Sequence, residues 1–212
     1  MSNRTGRKRL SAGERREVIE LAATEVFAER GYDGASMDEI ARRSGISAPV
    51  LYDHFESKRE LHRALLERHY ADLREVWRKN LPGDEAADVR IARSIDAWFA
   101  YVESHHYAWR MLFADTTGDP EVEAVRRQVA GESRAAIRPM LADEPGSENI
   151  AGADLESIDM SWEVLRAVLQ GLALWWYEHQ HVPREKIVQT AMNAIWIGFE
   201  RVSRGETWTG DR

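Results

Sequence analysis

Ser36-Met37-Asp38-Glu39-Ile40-Ala41-Arg42-Arg43-Ser44-Gly45-Ile46-Ser47-Ala48-Pro49-Val50-Leu51-Tyr52-Asp53-His54-Phe55-Glu56-Ser57-Lys58-Arg59-Glu60 decides the fold of this chain. Ser36 and Glu39 stand at the spacing of a capping box, in which hydroxyl and carboxylate each satisfy an orphan amide at a helix start. Ile40 and Ala41 then face inward. Gly45 supplies the left-handed backbone that ends the helix after about two turns. Ser47 is expected to cap the next helix, about Ala48 to His54, with Pro49 in its first turn, where no donor is lost. Ser57 and Glu60 repeat the capping box and open a third helix. A short helix, a glycine turn and a second short helix form the unit that lays a recognition helix into the DNA major groove.

Further pieces flank this unit in a fixed order: Ala22-Ala23-Thr24-Glu25-Val26-Phe27-Ala28-Glu29-Arg30-Gly31-Tyr32 before it, where Gly31 is expected to stop the first helix, and Leu61 after it. With them, residues from about Arg15 to Leu61 resemble the DNA-binding domain of the tetracycline-repressor (TetR) family. The resemblance covers under a third of the chain. It implies an all-α protein with a helix-turn-helix head (1–57, with a basic N-terminal arm) and a helical ligand-binding and dimerisation body (58–212). It also implies roles within the head. Tyr52 and His54 would hydrogen-bond phosphates, as would the amide and side chain of Lys58 and the hydroxyl and capped amides of Ser36. Ser47, Ala48 and Pro49 would face base edges, with readout leaning on thymine methyls.

Charge distribution says more than the net −7. Residues 1–60 hold 11 Lys/Arg and 11 Asp/Glu, so the remainder carries 18 minus 25, the whole of the deficit. Six of the first 16 residues are basic (Arg4, Arg7, Lys8, Arg9, Arg15 and Arg16). Such an arm either adds salt-dependent phosphate contacts or serves as a solvated tail. The chain lacks Cys, which excludes disulfides and thiolate chemistry. Its longest uncharged run, Ile187 to Phe199, is 13 residues, short of the roughly 18 that a membrane helix needs. A cytoplasmic protein without membrane contact is expected.

Beyond the head the periodicity is helical throughout. The helix opened by Ser57 runs to about Asn80, where Leu81-Pro82-Gly83 breaks it. Ile91, Ile95, Trp98, Phe99 and Val102 stripe the next, and a short helix spans about Tyr107 to Phe113. Asp119-Pro120-Glu121 starts another that Pro139 ends or kinks, and 142–153 reads as a polar loop. Two helices close the chain, about Asp154 to Gln180 and Pro183 to Arg204. The first of these carries two apolar stripes: Leu165, Leu169, Leu172 and Trp176, and Val164, Val168, Gly171 and Trp175. A helix apolar on two faces must be covered from two sides. Five or six helices cannot do this from within, so a homodimer is expected, built as a four-helix bundle. Its interface would use Val168, Trp175, Ala191, Ile195, Gly198, Phe199 and Val202.

All eight Trp follow residue 76. Trp77, Trp98, Tyr101, Trp109, Phe113, Trp162, Leu169 and Trp176 are candidates to line an effector pocket between helices. His105-His106 and His179-x-His181 do not match a metal-ligand spacing, and adjacent histidines on a helix diverge by about 100°. No phosphate loop or nucleophile elbow is present. Neither a catalytic site, a metal nor a cofactor is expected. The reading is a regulator that binds a double-stranded DNA operator as a repressor and is released from that palindrome by a small, mostly apolar effector. The alternative is a small-molecule-binding helical dimer without specific DNA recognition.

Overall fold

The structure, a computed structural model, describes residues 10–113, 119–125 and 155–203, with a few positions between 127 and 135. Of 155–159, 199, 202 and 203 only the backbone is described. The arm from Arg4 to Arg9, the 142–153 loop and Pro139 therefore lie outside the described residues. All the described elements are helical: α1 (Ala12–Gly34), α2 (Met37–Ser44), α3 (Ala48–His54), α4 (Lys58–Asn80), α5 (Ala87–Ser104), α6 (His106–Phe113), α7 (Leu155–Glu178) and α8 (Arg184–Ser203). A helical segment at 120–125 is started by Asp119, whose carboxylate accepts from the amides of Glu121 (2.9 Å) and Val122 (3.3 Å).

The head is built from local signals. Ser11 and Glu14, an S-x-x-E pattern, close a reciprocal capping box at the start of α1. Gly31 does not stop α1 as expected. It kinks the helix at φ 70°, ψ 171°, a region open to glycine, and the chain coils on to Gly34. Gly45 adopts φ 71°, ψ 23° and ends α2, with the Ile46 amide returning to the Ala41 carbonyl at 3.1 Å.

Ile19, Val26, Phe27, Ile40, Leu51 and Phe55 fill the space between α1, α2 and α3. The first turns of α4 complete that core: Leu61, Leu65 and Leu66 are buried, and the His62 ring meets Phe27 and Tyr32 edge-on at 4.8 and 5.0 Å. The boundary expected at residues 57/58 thus cuts away part of the head's core. The far end of α4 belongs to the body, where Leu73 and Trp77 pack with α5, and Trp77 meets Trp162 at 6.3 Å. α6 lies along α1, and α8 lies between α5 and α7. One apolar cluster runs unbroken from Ile19 in the head to Ile195 in the body.

Candidate functional site

α3 is too short to stand alone and is held by its buried face. Leu51 and the residue after the helix, Phe55, are at most 1% exposed, while Ser47, Pro49, Tyr52 and Asp53 face solvent. Tyr52 keeps 49% of its surface. Ala48 and His54 are half-buried at the two ends of the helix. Ser47 occupies the N-cap position with extended backbone, yet its hydroxyl takes no bond from the helix amides. The expected side-chain cap is therefore absent, and the hydroxyl faces outward at the start of the helix.

The neighbouring helix starts differ. Ser36 accepts from the Glu39 amide at 3.2 Å and Ser57 from the Glu60 amide at 3.1 Å. Only this half of each expected capping box forms. The Glu39 carboxylate turns to Arg43 (3.4 Å) and Arg30 (3.7 Å) because those guanidiniums outcompete an amide. The Glu60 carboxylate reaches one residue further back, to the Glu56 amide at 2.6 Å.

Lys58 joins the two starts. Its ammonium donates to the Tyr32 carbonyl (2.7 Å) and the Ala35 carbonyl (3.0 Å) and lies 4.4 Å over the Tyr32 ring. Ala35 precedes Ser36, so the N-termini of α2 and α4 are fastened side by side. Each presents unpaired amides and the positive end of a helix dipole, the local chemistry that receives phosphate. The Lys58 side chain is thus a tether first, with one of its three protons left for a phosphate. Arg59, next to it, forms ion pairs with Asp119 (3.7 Å) and Glu121 at the start of the 120–125 segment.

The effector candidates converge. Trp77, Trp98, Tyr101, Trp109, Leu169 and Trp176 are buried in the common cluster, and Phe113 and Trp162 pack against it. They are not equivalent. The Trp176 indole N–H donates to the Val182 carbonyl at 2.7 Å and pins the α7–α8 turn. Tyr101 gives its hydroxyl to a polar chain with His69. Trp109 is 2% exposed, and its indole N–H has no acceptor among the described residues. A buried donor left unpaired is uncommon.

The two faces of α7 separate as their stripes suggested. Leu165, Leu169 and Trp176 of the inner stripe are buried in the protomer together with Ala173, and Leu172 is half-buried, whereas Met160, Val164, Gly171, Leu174 and Trp175 are open, with Val168 between. On α8, Ala194, Ile197 and Gly198 are open. Ala191 and Ile195, expected at an interface, face the protomer's own core at 0% and 3% exposure. Helical spacing there alternates between two apolar sides, and the expected interface set mixed residues of both. The side chains of Phe199 and Val202 lie outside the described residues.

The histidines do not assemble. His105 stacks on Tyr101, His179 stacks on Trp175 at 3.9 Å, and among the described residues no group of three metal-binding side chains forms. Among those residues, too, no helix is long and apolar enough to cross a membrane.

Three comparisons bear on this arrangement. Residues 19–65 match the family model for bacterial regulatory proteins, tetR family. The HTH-type transcriptional activator FasR of Mycolicibacterium smegmatis is 32% identical over 202 residues, covering 94% of this chain and 89% of that one. Among solved structures, a TetR-like transcriptional regulator from Rhodococcus sp. RHA1 superposes with a TM-score of 0.73 at 21% identity, over 91% of this chain and 99% of that one. The regulator FadR from Bacillus subtilis, solved in complex with stearoyl-CoA, gives 0.70 at 17% identity, over 89% and 98%.

Proposed function

Because this chain belongs to the tetR family of bacterial regulatory proteins, and so is a transcriptional regulator rather than an enzyme, we propose that it is a cytoplasmic homodimer whose paired heads grip a two-fold operator and whose body senses a long acyl ligand. The observation carrying the DNA reading is the Lys58 tether. It fastens two helix N-termini in the same head as α3, whose Ser47, Pro49, Tyr52 and Asp53 face solvent. In this reading Ser36, Tyr52, His54 and the α4 amides hold phosphates, while Ser47, Ala48 and Pro49 meet base edges. The open stripe of Val164, Gly171, Leu174, Trp175, Ile197 and Gly198 is the dimer seam, since a soluble monomer seldom exposes such a patch.

Two features favour an acyl ligand over other apolar molecules. The Bacillus subtilis FadR, similar in fold, holds stearoyl-CoA, and the buried Trp109 N–H, without an acceptor among the described residues, is able to donate to a carbonyl. Repressor was the sequence expectation, and FasR is called an activator. Ligand-controlled DNA binding serves both, the sign set by where the operator lies relative to the promoter. Tryptophan fluorescence and operator mobility shifts, titrated with stearoyl-CoA and with free coenzyme A, test the proposal. Stearoyl-CoA should quench and should change operator affinity, while coenzyme A does neither. Equal effects of both, or none from either, would remove the acyl ligand.

A further inference from the structure

Thr24 of α1, His69 and Asp72 of α4 and Tyr101 of α5 form a line of polar atoms that runs from between the helices to the half-exposed Asp72. Thr24, His69 and Tyr101 are each at most 9% exposed. The Thr24 hydroxyl lies 2.8 Å from the Glu20 carbonyl and 3.4 Å from Nε2 of His69. Nδ1 of His69 lies 2.9 Å from the Tyr101 hydroxyl, which lies 3.4 Å from the Asp72 carboxylate. Burial holds the His69 pKa down at about 4, and Arg68 and His105 add to that while Glu20 opposes it. The ring is therefore neutral near pH 7 and carries one N–H.

Four contacts then share three protons: one each on Thr24, His69 and Tyr101. In one order Tyr101 donates to Nδ1, Nε2–H donates to Thr24, and Thr24 donates to Glu20. The Asp72 contact is the one left without a proton. In the other order Tyr101 donates to Asp72, Nδ1–H donates to Tyr101, and the contact between Thr24 and His69 is lost. The first keeps every buried atom satisfied. The second gains a bond to a charged carboxylate but leaves Nε2 buried without a donor. These opposing effects are of similar size, so neither order dominates. Two further orders are poorer: one turns the Thr24 hydroxyl from Glu20 to Nε2, exchanging a 2.8 Å bond for a 3.4 Å one, and the other keeps Nε2–H on Thr24 with Tyr101 on Asp72, giving up the 2.9 Å contact at Nδ1 instead of the 3.4 Å one at Nε2.

We propose that this proton-deficient chain couples the body to the head: a bond made at Tyr101 is a bond lost at Thr24. His69 is the positioning residue, because its tautomer records which end is tied. With the first order α1 is fastened to α4 and the head is held at a fixed attitude, preorganised for DNA. An acceptor brought to Tyr101 by an effector draws its proton outward and selects the second order, loosening the head. The coupling is one hydrogen bond, about fivefold in affinity.

Two substitutions fix the chain in opposite orders without any effector, so the outcome does not depend on the acyl reading. Asp72→Asn adds a fourth proton and satisfies all four contacts, with Nε2–H. Thr24→Val removes the head end and leaves Nδ1–H. Nitrogen-15 spectra of the His69 ring, assigned with His69→Gln, should show Nε2–H in the first variant and Nδ1–H in the second. Tyr101→Phe should behave as the first does. On a DNA site selected by the wild type from a random pool, Asp72→Asn should bind about fivefold more tightly than Thr24→Val. The same tautomer in both variants, or Thr24→Val binding as tightly as Asp72→Asn, would overturn the coupling. Should Thr24→Val not fold, Thr24→Ala removes the same proton and is read in the same way.

Discussion

The head and the body reach stability by different means. In the head, caps, a glycine turn and an ion cluster of Arg43 with Glu25, Glu29 and Glu39 fix short helices within about 40 residues of sequence. In the body the elements are long and regular, and aromatic contacts between distant helices, such as Phe99 with Trp176, fix their mutual places. The head presents polar groups on a rigid frame, whereas the body leaves a whole apolar face open. The head is therefore specified by local chemistry, and the body by which face of a helix remains uncovered.

The largest effect should come from closing the body's open face to partners. Ile197→Glu puts a charge on the proposed seam while leaving the protomer core untouched, since Ile197 is 53% exposed. Light scattering should report a monomer of the chain mass, and operator affinity should fall by about 1,000-fold, to the level of nonspecific binding. A dimer that survives this change would place the seam elsewhere and blur the distinction between the two regions.

Acid should act next, and at the junction between the two regions. His69 has a folded pKa lowered to about 4 from an unfolded value near 6.5, so the unfolded chain binds the extra proton first. Stability is full above about pH 6.5 and falls as pH drops towards 4, by about 3 kcal/mol from this group. Denaturant midpoints measured from pH 7 to 4 should show this limb, and His69→Gln should flatten it.

Effects confined to the head should be smaller. Tyr52→Phe should weaken binding to every DNA sequence by about 1 kcal/mol and reduce the salt slope by about one, because a phosphate contact carries no sequence information. Its melting temperature should stay put, given the exposed ring. Ser57→Ala, the smallest change, removes the cap bond to the Glu60 amide and should cost about 1 kcal/mol in thermal stability alone. A loss of specific over nonspecific binding in Tyr52→Phe would mean that this phosphate-facing residue also reads bases.

Legibility in the sequence divides along the same line. α3 and α4 begin and end where Ala48, His54, Lys58 and Asn80 were expected to bound them, because caps and breakers act on their own neighbours. Gly31, expected to stop α1, kinks it instead: a positive φ turns the chain, and the residues beyond it, Tyr32 to Gly34, resume the coil. On α8, spacing alone could not say that Ala191 faces inward and Gly198 outward, since both sides are apolar. The link between Thr24, His69 and Tyr101 was invisible. Its partners lie 45 and 32 residues apart, and none belongs to a spacing pattern.

The sharing of α4 sets a rule for anyone building chimaeras from this protein. A graft cut before Lys58 would strip Leu61, His62, Leu65 and Leu66 from beneath Phe27 and Tyr32 and remove the ammonium that fastens the α2 start. The transferable DNA-reading cassette ends within α4, beyond Leu66 and before Leu73, and a new sensor must be spliced there in helical register. A fusion displaced by one residue would rotate the reader by about 100° about that shaft.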